Sequence, residues 1–189
     1  MENIARQRPT DVKRVVLYGP ESTGKTTLAQ QLSDHFGVPW VPEFAREYLQ
    51  AKWDLHRGVC EPHDLIPIAI GQMDLENKAV EQAEEQGRPF IVCDTDLLVT
   101  LVYSQVYYDG WADARLVKAV RVQKYDLYFL TGIDVPWKAD DLRDRPHDRE
   151  RIYEAFKAGL VARGYEYVAL NGNPPTRLEA ASVAIEGLL

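Results

Sequence analysis

The stretch "YGPESTGKTTLAQQLSDHFG", residues 18–37, decides the fold of this chain. Gly19 is followed by four residues and then by Gly24-Lys25-Thr26, which is the Walker A spacing. The apolar run "RVVLY" at 14–18 precedes the glycines and predicts a strand. Residues 25–36 repeat apolar side chains at helical spacing, so they predict a helix. A strand, a glycine loop and a helix in this order predict a P-loop that binds a phosphate.

The chemistry of such a loop comes from its backbone as much as from its side chains. Backbone N–H groups and the positive end of the following helix face the anion. We expect Lys25 to reach the β- and γ-phosphates and to face solvent when no nucleotide is bound. We expect Thr26 to offer its hydroxyl to Mg²⁺. The predicted ATP-binding residues are Gly19, Glu21, Ser22, Thr23, Gly24, Lys25, Thr26 and Thr27.

Four further apolar runs alternate with helical patterns along the chain. They are "VPWV" at 38–41, "FIVCD" at 90–94, "DLYFL" at 126–130 and "YEYVAL" at 165–170. Continuous apolar runs are typical of strands buried on both faces of a parallel sheet. The alternation therefore predicts an α/β fold with a parallel five-stranded sheet and helices on both faces. Together with the phosphate loop it indicates the P-loop kinase type, to which the arginine-rich segment described below would add a lid segment.

Chain length suits one domain, which we place at 13–189. The polar residues 1–12 suggest a flexible N-terminal extension. A net charge of −7 disfavours nucleic acid as a partner. Neither a long apolar run nor a secretory leader is visible, so we expect a cytoplasmic protein without a membrane span. The two cysteines are too few for a disulfide framework.

Two acids follow the third predicted strand in the sequence "DTD". Asp94 ends the strand, as the metal-positioning carboxylate of a P-loop enzyme does. Asp96 lies two residues further on, and in an extended segment both side chains would point to the same side. Either acid then suits a metal or a substrate hydroxyl. In the alternative interpretation, Asp94 or Thr95 caps the next helix and Asp96 lies in its first turn.

A cluster of arginines follows the fourth predicted strand, in "RDRPHDRER". Small-molecule kinases carry a mobile lid here, which we place near 137–149, and its arginines neutralise charge during phosphoryl transfer. We assign Arg143 and Arg145 to that catalytic role, although the interleaved acids also fit a solvated face. Arg149 and Arg151 are predicted to lie on a helix surface.

The segment "VPEFAREYLQ" follows the second predicted strand, on the side where P-loop kinases hold the phosphate acceptor. Glu43 suits a ribose diol or a proton, and Arg46 suits a phosphate. The alternative for this pair is an ion pair within one helical turn. Tyr103 offers a face on which a base can stack. With Asp96, these residues form our predicted substrate-binding set.

Together these motifs resemble the ribosylnicotinamide kinase domain of the NadR proteins. The resemblance rests on "GPESTGKTTLA", "WVPEFAREYL", "IAIGQ" and "DTDLLVTLVYSQVYYDG", and it extends from about residue 14 to the lid near 151. It implies a kinase that transfers the γ-phosphate of ATP, with Mg²⁺, to the 5′-hydroxyl of nicotinamide riboside. The chain has no room for the DNA-binding and adenylyltransferase domains of full-length NadR, so we do not expect those activities.

Two alternatives remain at the level of the sequence. In the first, the protein is still a kinase, but the acceptor is a different nucleoside or another small metabolite. In the second, the protein is a nucleotide-gated switch that hydrolyses ATP slowly and signals through a change of shape. Nicotinamide riboside carries a cationic ring, which acidic and tyrosine-rich segments suit by charge and cation–π attraction.

Overall fold

The computed structural model describes residues 3–143 and 147–189. Its core is one five-stranded parallel sheet. The strands are β1 (Lys13–Tyr18), β2 (Trp40–Val41), β3 (Phe90–Asp94), β4 (Leu127–Thr131) and β5 (Tyr167–Leu170). They are arranged in the order β2-β3-β1-β4-β5. Each lies within one of the five apolar runs or extends it by one residue. The predicted fold class is therefore confirmed.

Helices cover both faces of the sheet, as the continuous apolar strands require. Those on one face are α1 (Lys25–Phe36) and α7 (Pro174–Leu188), with Leu32 and Ile185 among their core residues. The other face is covered by α3 (Leu65–Glu85), α4 (Leu97–Tyr107), α5 (Ala114–Val122) and α6 (Arg149–Val161). The remaining helix, α2 (Phe44–His56), packs on α3, and a 3₁₀ turn at Pro62–Asp64 precedes α3.

Sheet order determines where the site lies. Because β1 and β3 are neighbours, Asp94 at the end of β3 pairs in register with Leu17, just before the glycine loop. The next strand on the other side is β4, whose Leu130 pairs with Tyr18. Parallel α/β sheets bind ligands beyond the carboxyl ends of such strands. The phosphate loop and the acid after β3 therefore meet at one edge.

Residues 6–10 of the N-terminal segment, which we predicted as a flexible extension, make hydrogen bonds to the body of the protein. Gln7 donates to Glu76 and to the carbonyl of Lys124, and Thr10 donates to Glu84. These contacts could not be predicted from local sequence, because the partners lie about 70 or more residues apart. Within the described part of the chain, no helix is both long and apolar enough to cross a membrane.

Candidate active site

The phosphate loop is shaped by its close approach to the end of β4. Gly19 has φ 143°, and a Cβ there would lie 2.5 Å from the hydroxyl oxygen of Thr131. Only glycine fits that backbone and that space. Thr23 is fully buried, and its hydroxyl is 2.8 Å from the carbonyl of Pro20 and 2.7 Å from the Thr131 hydroxyl. The loop is thus held in one conformation from inside the protein.

Lys25 does not face solvent, which corrects our expectation. Only 7% of the residue is exposed, and its ammonium donates to the carbonyls of Gly19 and Pro20 at 3.0 and 2.8 Å. The sequence could not show this, because the folded path of the loop decides which backbone carbonyls lie within reach of the ammonium. The ammonium lies inside the loop where a phosphate would be bound.

Thr26 and Asp94 form the second part of the site. The Thr26 hydroxyl donates to Oδ2 of Asp94 at 2.5 Å, which brings together the two residues predicted to hold a metal. Oδ1 of Asp94 is buried and has no hydrogen-bond partner among the described residues. Burial, followed by the nearby Glu43 carboxylate, raises the pKa of Asp94 to about 7. A buried carboxylate oxygen without a partner is costly, and it indicates a place for a ligand.

Asp96 faces the opposite way, and its predicted substrate role has no support in its position. Its Oδ1 accepts from the N–H of Val99 at 3.1 Å, so it is the N-cap of α4. Its Oδ2 accepts from the hydroxyl of Tyr128 at 2.7 Å, inside the core. Thr95 has φ 75° and turns the chain between the two acids. The extended geometry assumed for "DTD" was therefore wrong, and so was the alternative that placed the cap at Asp94 or Thr95.

A cleft of about 750 Å³ extends from the phosphate loop. The P-loop residues from Glu21 to Thr27 line it, and so does Glu43, at the N-terminus of α2. Glu43 also shares a neighbouring pocket with Thr26 and Asp94. Tyr103 lines the cleft and contacts the loop, because its hydroxyl accepts from the N–H of Glu21 at 2.7 Å. Other apolar and aromatic lining residues are Leu49, Leu65, Ile68, Val99, Tyr107 and Tyr108.

Arg46 and Arg143 both line the cleft, and they meet at one acid of the lid. Arg46 donates to Asp140 at 2.7 Å, and Arg143 lies 3.2 Å from the same carboxylate. The ion pair of Arg46 is thus with the lid and not with Glu43 in its own helix, as our alternative interpretation had it. This contact joins the acceptor side of the cleft to the lid.

Of the remaining lid arginines, Arg149 differs from its prediction. It donates to the carbonyls of Ser22 and Val135, and its guanidinium lies 5.7 Å from the ring centroid of Trp137. It therefore connects the lid to the phosphate loop, whereas we had placed it on a helix surface. Arg151 is on the surface as predicted, paired with Asp148. Arg145 lies outside the described residues.

Sequence reasoning missed Arg177 entirely. This arginine lies in the first turns of α7, is 4% exposed and lines the cleft. It donates to the carbonyl of Thr23 in the phosphate loop at 2.6 Å. One signal was available: a cation near the N-terminus of a helix opposes the helix dipole. Which groups compensate for that cost could not be predicted, because they come from distant loops.

Comparison with known proteins places this geometry in a family. Residues 14–177 match the family model described as AAA domain. The trifunctional NAD biosynthesis/regulator protein NadR of Salmonella typhimurium is 29% identical over 154 residues. The match covers 82% of this chain and 36% of that protein, so the chain spans only part of its relative's length. The predicted resemblance to NadR is confirmed.

Solved structures agree with this result. The crystal structure of a NadR protein in complex with NR has a TM-score of 0.76 at 25% identity, covering 94% of this chain and 52% of that one. Thymidylate kinase from Ehrlichia chaffeensis has a TM-score of 0.62 at 15% identity, covering 93% and 100%. The second likeness concerns the fold alone.

Proposed function

The chain belongs to the AAA domain family, and from that premise we propose that it is a P-loop kinase that phosphorylates the 5′-hydroxyl of nicotinamide riboside. One observation supports this most directly. The phosphate loop, with Lys25 and Thr26, lines a cleft that also has aromatic and apolar walls. Thr26 donates to Asp94, which lines an adjoining pocket together with Glu43. Such a cleft can hold a triphosphate and a nucleoside at the same time.

On the nucleotide side, the loop is ready to exchange internal contacts for phosphate contacts. The Lys25 ammonium donates to two loop carbonyls, and a bound γ-phosphate would draw it away because an anion is a stronger acceptor. Phosphoryl transfer depends mostly on position and on neutralising charge. Arg143 in the lid adds positive charge to the same cleft.

The Thr26–Asp94 pair fits Mg²⁺ by the chemistry of its donors. A hydroxyl and a carboxylate are hard oxygen ligands, which this ion prefers. Oδ1 of Asp94, which has no described partner, is available for such a ligand. The ion, when bound with ATP, supplies charge neutralisation between the phosphates. We assign Thr26 and Asp94 to holding it.

Glu43 and Asp94 are the two acids near the point of transfer. Glu43 is close enough that its charge contributes to the raised pKa of Asp94. With Asp94 assigned to the ion, Glu43 at the N-terminus of α2 is our candidate for orienting the acceptor hydroxyl and accepting its proton. Arg46, tied to Asp140 in the lid, would then keep the acceptor helix and the lid together over the substrates.

The acceptor is proposed from three observations taken together. The relative named above is a NAD biosynthesis protein, and a NadR protein has been crystallised in complex with NR. The cleft of this chain has tyrosine faces, from Tyr103, Tyr107 and Tyr108, which suit a cationic pyridinium ring. Glu43 adds negative charge to the same cleft. A neutral base would gain less from both features.

The test is ADP release at saturating Mg-ATP and fixed salt, with no acceptor as the control. We expect kcat/KM to be highest for nicotinamide riboside, lower for nicotinic acid riboside and far lower for uridine and cytidine. A pyrimidine nucleoside that matches nicotinamide riboside would contradict the acceptor but leave the kinase. ADP release that no acceptor stimulates would contradict the kinase itself and favour an ATPase switch.

A further inference from the structure

Arg177 makes contacts that the proposed function leaves unexplained. Its Nε donates to the carbonyl of Gly172 at 3.0 Å, and its Nη1 donates to that of Thr23 at 2.6 Å. Its Nη2 donates to the carbonyl of Gly132 at 3.0 Å and pairs with Asp134. One buried guanidinium therefore serves three backbone carbonyls and a carboxylate.

Those carbonyls belong to three separate loops of the chain. Thr23 lies in the loop after β1, Gly132 in the loop after β4, and Gly172 in the loop after β5. The three strands are adjacent, so their loops lie side by side at the edge where the cleft opens. Burying a charge is expensive unless it is fully hydrogen-bonded, and the planar fork of arginine meets that need where a lysine cannot.

The contact with Thr23 has a geometric consequence for phosphate binding. In a trans peptide the C=O of one residue and the N–H of the next point in opposite directions. While Arg177 holds the Thr23 carbonyl, the N–H of Gly24 therefore points away from Arg177. Gly24 lines the cleft, and a Cβ built on it meets no atom within 4 Å, so the space in front of it is open.

We propose that Arg177 is a positioning residue that fixes the Thr23–Gly24 peptide, and through it the phosphate-binding N–H groups of the loop. The inference rests on the proposed function only in naming ATP as the ligand. Arg177 acts through the loop, because its guanidinium holds the Thr23 carbonyl together with carbonyls of the two neighbouring loops. Replacing it should loosen the loop and weaken nucleotide binding, while acceptor binding is spared.

Arg177→Lys is the informative variant, because it keeps the charge and removes the fork. Its matched control is Ile185→Ala, which truncates a fully buried side chain of the same helix that has no polar atom to bond the three loops. A merely structural role predicts that the two variants behave alike once their stabilities are compared. A positioning role predicts an additional, local effect in Arg177→Lys.

The first readout is amide hydrogen exchange of the ligand-free protein. We expect faster exchange in residues 19–26, 132–134 and 171–173 of Arg177→Lys, but not of Ile185→Ala. The second readout is ATP binding by calorimetry without acceptor, where we expect a loss of about tenfold in Arg177→Lys alone. For both variants, the KM of the nucleoside should stay near that of the unmodified protein.

Exchange in 19–26 that rises no more in Arg177→Lys than in the control would overturn the proposal, whatever the substrate is. If the unmodified protein does not bind ATP, the proposed function fails, and the exchange result still decides the role of Arg177.

Should Arg177→Lys not fold, Asp134→Asn is the substitute variant. It keeps the guanidinium but removes its carboxylate partner, which is 42% exposed. Faster exchange that reaches 19–26 would support the proposal. A change confined to the loops after β4 and β5 would overturn it.

Discussion

Asp94 and Asp96 lie two residues apart, and both are almost fully buried, yet they belong to different regions of the molecule. Burial raises the pKa of each to about 7. Asp94 lies at the carboxyl edge of the sheet, bound to Thr26 and with one oxygen lacking a described partner. Asp96 lies under the sheet edge, where Val99 and Tyr128 donate to its two oxygens.

The difference shows that a raised pKa alone does not identify a functional acid. Desolvation acts on both carboxylates, and it would mark both as candidates. Hydrogen-bond accounting separates them, because the core provides donors for both oxygens of Asp96 and the cleft leaves one oxygen of Asp94 available. At the cleft edge, a ligand can bind the carboxylate oxygen of Asp94 that lacks a described partner, whereas in the core both oxygens of Asp96 already accept hydrogen bonds.

The largest expected effect is at the cleft edge, from Lys25→Met. This change keeps most of the side-chain length and removes the charge that would follow the γ-phosphate, so turnover should fall by about a thousandfold. ADP release with nicotinamide riboside measures it. The exposed Lys157→Met is the matched control and should be active. Near-normal turnover by a folded Lys25→Met protein would show that Gly19–Thr26 is not the catalytic phosphate loop.

Next in size is Asp94→Asn, which keeps the shape and removes the charge. We expect turnover to fall by about a hundredfold, the usual size for a positioned proton-transfer or metal group. In a titration with Mg²⁺, half-maximal activity should also require a higher ion concentration than in the unmodified protein. The comparison between the two acids fails if this variant is active and Asp96→Asn is not.

Asp96→Asn should affect stability rather than turnover. An amide still caps α4, but its NH₂ group cannot accept from Tyr128, so the free energy of unfolding should fall by about 1 kcal/mol. Urea unfolding measures this loss, and kcat of the folded protein should stay within about twofold of the unmodified value. A large loss of kcat with unchanged stability would move Asp96 to the site.

The smallest expected effect comes from two matched hydroxyl deletions. Tyr103→Phe removes the acceptor of the Glu21 N–H and leaves the ring, so the KM for ATP should rise by about threefold. Tyr128→Phe removes the donor to Asp96 and should lower the unfolding midpoint without changing KM. Identical responses of the two variants would mean that Tyr103 has no specific contact with the loop.

Local sequence determined the elements of this protein and the identity of its phosphate loop. Apolar runs gave the five strands, and the Walker A spacing named Lys25 and Thr26, because both signals depend on neighbours within a few residues. Asp94 followed from its place at the end of a strand. The helix of residues 25–36 was predicted with its bounds for the same reason.

Tertiary structure alone decided which polar groups meet. The direction of Asp96 depended on a left-handed turn at Thr95 and on a tyrosine 32 residues away. Arg46 found its partner 94 residues away, and Arg177 reaches a carbonyl 154 residues away. A buried charge needs the donors or acceptors that the packed chain brings to it. Local sequence patterns do not show which residues far along the chain will be those partners. Assembly of the sheet and helices therefore placed these contacts around a phosphate loop that could be predicted from the sequence.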